Sequence, residues 1–176
     1  MFHKDALASS AFKAPRTSVE VIELFLDAGA NPDGRNGGAF LVNPVESAAI
    51  SNNVQALQRL HNTGAVSVES MSGALETAVT HGAGEAFRLL ISYGVQIDAV
   101  ETDRMSMAVG SGYGNVFWAL LDAGYDVAEY GGQGFINAAC RNAGTILNEL
   151  IDRGADQSAG FENQTARQPN WGSTCP

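Results

Sequence analysis

The stretch WALLDAGYDV, Trp118–Val127, carries the pattern from which the fold is read. Leu120 and Leu121 close an apolar helical stripe, Gly124 stops the helix, and Tyr125, Asp126 and Val127 lead the chain away. Glycine suits that stop because helices commonly end on a left-handed residue, which a side chain with a Cβ resists. Trp118 is the anomaly, since its side of such a helix should meet water.

The arrangement recurs. Gly29 in LFLDAGANPD, Gly64 in LQRLHNTGAV, Gly94 in RLLISYGVQI, Gly124 and Gly154 in ELIDRGADQS follow one another at intervals of 35, 30, 30 and 30 residues. Four and three residues before each glycine lie Phe25-Leu26, Leu60-His61, Leu90-Ile91, Leu120-Leu121 and Leu150-Ile151. Seven before lie Ile22, Leu57, Phe87, Phe117 and Leu147. These offsets describe an amphipathic helix with one apolar stripe and a glycine stop. Sixteen before lie Ala48, Ala78, Ala108 and Ala138, and nineteen before lie Val45, Leu75, Met105 and Phe135, all on an earlier helix. Alanine in one fixed slot implies helices that approach too closely for a larger side chain. Each unit then reads as helix, turn, helix, glycine and connector. A unit so small buries its apolar face only by stacking on its neighbours.

On these residues the chain resembles the ankyrin repeat. SVEVIELFLDAGANPD, 18–33, is similar to the second helix and exit of an ankyrin unit, and NPVESAAISNN, 43–53, to the family's Thr-Pro-Leu-His opening. The fold expected is all-α: an ankyrin-like helical solenoid of about five helix-turn-helix units with short connectors. It covers residues 1–158. A tail, 159–176, follows and is irregular or packs over the last repeat through Phe161 and Trp171. The sequence departs from the family in its shorter period, and in holding Glu46, Glu76, Ser106 and Ile136 where the family carries a histidine. The first link, NPDGRNGGAFLVNP, is long enough for a hairpin.

Composition narrows the function classes. A net charge of −9 over 176 residues disfavours nucleic acid, whose binding rests on Lys and Arg. It disfavours anionic membrane surfaces as well, and no apolar run approaches the roughly 18 residues of a spanning helix. Two cysteines, Cys140 and Cys175, read as unpaired thiols and with them a cytoplasmic, reducing interior. His3, His61 and His81 stand far apart with no ligand spacing, so neither a metal nor a cofactor is expected. His61, in an apolar slot, reads as a core or edge histidine. The glycine-rich GSGYGN, 110–115, and YGGQG, 130–134, lack a P-loop lysine and read as turns.

The resemblance implies a protein partner, bound by the connector tips and by the ends of the inner helices. Those positions are Ile50, Ser51, Thr80, His81, Ser111 and Arg141, joined by Tyr93 and Arg153 just before the glycines and by Asp103, Arg104 and Tyr130 on connectors. The alternative is a small-molecule binder or enzyme, less expected, with Glu46 and Glu76 as paired carboxylates and His81 close by, doing acid–base chemistry without metal. Trp118 occupies the slot of Glu23, Gln58, Arg88 and Asn148, six before the glycine. A tryptophan among four polar residues points to a second surface, covered by the tail or by a second copy in a homodimer.

Overall fold

The computed structural model describes residues 19–34, 43–97 and 104–156. Among them all regular structure is helical, in ten helices with no strand. The chain divides into two compact units, Met1–Gln96 and Ile97–Pro176. The division falls inside the interval 1–158 read as one repeat domain, and the expected tail lies outside the described residues.

The first unit holds α1 (Val19–Asp27), α2 (Pro44–Ile50), α3 (Val54–Asn62), α4 (Val68–Thr80) and α5 (Gly84–Ser92). The second holds α6 (Arg104–Gly110), α7 (Gly114–Asp122), α8 (Val127–Tyr130), α9 (Gly132–Cys140) and α10 (Gly144–Asp152). Tight turns join α2 to α3, α4 to α5, α6 to α7 and α9 to α10, so the helix-turn-helix pair is the recurring element. Within the first unit α3 packs on α1, α4 on α2 and α5 on α3; within the second, α9 packs on α6 and α8. The first link, 31–44, where a hairpin is expected, falls largely outside the described residues.

All five periodic glycines stop helices in the left-handed conformation, with φ from 66° at Gly64 to 84° at Gly94. After four of them the next amide reaches back five residues, as Ala155 does to the Leu150 carbonyl at 2.9 Å. Carbonyls that the helix end would strand are thereby satisfied. The stripe residues Leu60, Leu90, Leu120 and Leu150 are fully buried, each worth roughly 2 kcal/mol of transfer free energy. The alanine slot is likewise sealed, with Ala48, Ala78, Ala108 and Ala138 all at 0 % exposure. Their carbonyls also close the turns, accepting from the amides of Asn53, Ala83, Tyr113 and Ala143 at 2.8–2.9 Å.

Two connectors differ from the expected short loops. Ser67 caps α4 through Ser70 N at 3.2 Å, and α4 runs 13 residues, so helix replaces most of the link after Gly64. After Gly124 the chain makes α8, capped by Asp126, before entering α9. YGGQG is therefore not a turn: Gly132 and Gly134 open α9. The reason is close packing, since a Cβ on Gly134 would stand 3.0 Å from Met105 Cγ, and one on Gly131 would overlap the Val127 carbonyl oxygen.

Candidate binding surface

In each unit the turn within each helix pair builds a rim on which expected contact residues stand. Twelve residues before four of the five helix-stop glycines lies a second left-handed residue: Asn52 (φ 50°), Gly82 (72°), Gly112 (77°) and Asn142 (53°). Among side-chain-bearing residues asparagine tolerates this conformation best, which is why it alternates with glycine here. Asn52 does more than turn the chain. Its Oδ1 accepts from Ala86 N at 2.9 Å, capping α5, whose own N-cap residue Ala83 offers no side-chain bond.

Polar side chains fix neighbouring pairs in register. In the first unit Asn43 caps α2 by accepting from Glu46 N at 2.8 Å, and its Nδ2 donates to buried Ser70 Oγ at 2.9 Å. This ties the start of α2 to the first turn of α4, so the two helices run side by side and end on the same side. In the second unit Asn137 Nδ2 donates to Ser106 O and Oγ, tying α9 to α6. Gly110 makes room for that amide, because a Cβ there would lie 2.9 Å from Asn137 Nδ2.

The helix ends so aligned carry Ser51 and His81 in the first unit and Ser111 and Arg141 in the second. Ile50 and Thr80, one residue earlier, are partly buried; Ser111, His81 and Arg141 are exposed. Thr80 Oγ1 donates to Thr77 O at 3.0 Å, having only one proton to give. His81 Nδ1 lies 3.0 Å from both Thr80 Oγ1 and Thr77 O, which fixes the ring against the end of α4. The Arg141 guanidinium lies over Gly112, 3.3 Å from where a Cβ would stand. Arg153 is exposed and paired with Glu149 at 2.6 Å. Arg104, read as a connector residue, is instead the first residue of α6 and 8 % exposed. Asp103 lies outside the described residues, and Tyr130 ends α8.

Tyr93 and His61 meet. Their rings stack with centroids 3.7 Å apart and planes 8° from parallel, joining the last turn of α3 to the end of α5. Both are partly buried, and burial raises the Tyr93 phenol above its ordinary pKa of 10.0. His61 is thus the edge histidine expected from its slot. The stack itself was not legible, because it joins positions three and one residues before different glycines.

Glu46 Oε2 accepts from Asn43 N at 3.2 Å, completing a reciprocal capping box, and its Oε1 rests against Gly73, where a Cβ would stand 2.7 Å away. Glu76 is exposed, and no hydrogen bond joins it to Glu46 or to His81 among the described residues. Trp118 is partly buried and sets its indole edge-on to Phe117, with centroids 5.0 Å apart at 77°.

Comparison with protein-family models and with curated proteins finds no match. Cys140, at the end of α9, is disulfide-bonded, which overturns its reading as a lone thiol and removes the argument for a reducing interior. Among the described residues no three potential metal ligands stand together, and no helix is long and apolar enough to cross a membrane.

Proposed function

We propose that the chain is a protein-binding module built on ankyrin-type repeats, its helix pairs continuing as a solenoid. The observation that carries this reading is the repeated turn, which sets one small or polar side chain at the same helix end in every pair: Ser51, His81, Ser111 and Arg141. Exposed residues delivered by a rigid, repeated scaffold suit recognition better than catalysis, because each is placed without being brought to a common reacting centre. Tyr93, pre-ordered against His61, adds the kind of rigid aromatic that anchors interfaces. The acid–base alternative is less favoured, since Glu46 is engaged in capping the start of α2 and Glu76 is exposed.

The partner expected is a protein that offers hydrogen-bond donors and acceptors, with no nucleic acid and no membrane surface. An intracellular home, expected from the sequence, now competes with an oxidised Cys140. The experiment is affinity capture from the source cell with the wild type and with His81→Glu/Arg141→Glu, two exposed sites whose change leaves the helical signal intact. A specific partner held by the wild type and lost by the variant supports the reading. A partner held equally by both removes this rim from the interface, and turnover abolished by Glu46→Gln in a folded protein would replace binding by catalysis.

A further inference from the structure

Arg141 is set apart from the other arginines by what surrounds it. The described residues hold five arginines and no lysine. Arg59 pairs with Glu23 and Arg153 with Glu149, each at 2.6 Å, and Arg88 and Arg104 have partners as well. Among the described residues Arg141 alone makes no ion pair and no side-chain hydrogen bond, although acidic residues outnumber basic ones by 19 to 10 along the chain. Its guanidinium nevertheless has a seat. It reaches from the end of α9 to the turn after α6, where Nη1 lies 3.3 Å from the place a Cβ on Gly112 would take. The dipole of α9 favours a positive charge at this end, but it brings no oxyanion to a group with five N–H donors.

The residues next to this seat are neutral and open. Ser111, Gly112 and Asn142 are all exposed. Met107 stands one turn before Ser111 on the same face of α6, with Ser111 N donating to Met107 O at 2.9 Å, and its apolar side chain is 37 % exposed. The bonds from Asn137 to Ser106 hold α6 and α9 together, so these side chains are presented on a surface already ordered. We propose that this end of the second unit recognises an acidic side chain on the partner protein. Arg141 donates two parallel N–H bonds to an Asp or Glu carboxylate, Ser111 Oγ donates a third, and Met107 takes an apolar residue of the same segment. The inference rests on the protein-binding reading above and names what the partner must present. A polyanion would also meet Asp122, Asp126, Glu129 and Asp152, all exposed in this unit, so a single carboxylate fits better than nucleic acid.

The test selects random peptides displayed on phage against the full chain and against Arg141→Glu. The wild type should enrich Asp or Glu at one position beside an apolar one, and Arg141→Glu should lose that preference. Synthetic copies of a selected peptide, with amidated C-termini, should bind Arg141→Gln about tenfold more weakly and Ser111→Ala about threefold more weakly. Changing the peptide's acid to its amide should weaken binding to the wild type about as much, and cost nothing further in Arg141→Gln. Selected peptides without an acidic position, peptides that bind only through a free C-terminus, or equal binding to Arg141→Gln overturn the carboxylate site and leave peptide binding standing. Failure of the folded wild type to select any peptide overturns the inference, and the reading beneath it falls only if no partner is captured from cells either. Where Arg141→Gln does not fold, the acid-to-amide change in the peptide decides on the wild type alone.

Discussion

Asn52 shows how much one side chain does in a repeat of this size. It supplies a left-handed backbone at φ 50° and, through Oδ1, the cap that α5 lacks. Asn52→Gly keeps the turn and loses the cap, and should cost about 1 kcal/mol in urea unfolding. Asn52→Ala loses both, and about 2–3 kcal/mol is expected from the cap and the strained φ together. Equal losses for the two variants would mean the cap contributes everything and the turn nothing. Tyr93 gives the pH dependence. Its phenol is held protonated by burial, so above pH 10.0 the unfolded chain ionises first and binds fewer protons than the folded one. Stability contributed by Tyr93 is present below that pH and declines as pH rises through the raised pKa. Tyr93→Phe should abolish this decline, read as urea midpoints on either side of pH 10.

At the scale of the helix, the sealed alanine slot and the aromatic pair on α7 set opposite limits. Ala108 sits at 0 % exposure and its carbonyl closes the α6–α7 turn through Tyr113 N at 2.8 Å. Ala108→Leu therefore has nowhere to put three more carbons, and about 2–3 kcal/mol of destabilisation by overpacking is expected in thermal unfolding. Trp118 on the same helix leans on Phe117. Trp118→Ala should cost about 1–2 kcal/mol from the lost edge-to-face pair and its area, with no change in oligomeric state by light scattering. A variant of unchanged stability but altered oligomer would make Trp118 an intermolecular contact instead. Glu46 belongs to this scale too, because its carboxylate completes the capping box at the start of α2.

For the whole molecule, the two units and the state of Cys140 matter most. Unfolded without reductant, the chain should react with no equivalents of a thiol reagent, and with two after reduction, since Cys140 is disulfide-bonded and the sequence holds one other cysteine, Cys175. Any titratable thiol in the unreduced monomer would contradict an intramolecular bond at Cys140.

The sequence by itself determined the helix pairs. Gly29, Gly64, Gly94, Gly124 and Gly154, with the leucines before them, act through local backbone geometry and 3.6-residue periodicity, and both are written in neighbouring residues. The alanine slot was legible for the same reason, and so was the histidine at 61. The left-handed role of Asn52 and Asn142 could have been read from their sharing an offset with Gly82 and Gly112, a signal weakened only by the change of residue type. Tertiary structure alone decided the rest. That Glu46 rests against Gly73, that Arg104 is buried and that Tyr93 stacks on His61 all depend on how one helix meets another. Such meetings are fixed by side-chain packing across tens of residues of chain, and spacing along the sequence carries no record of them.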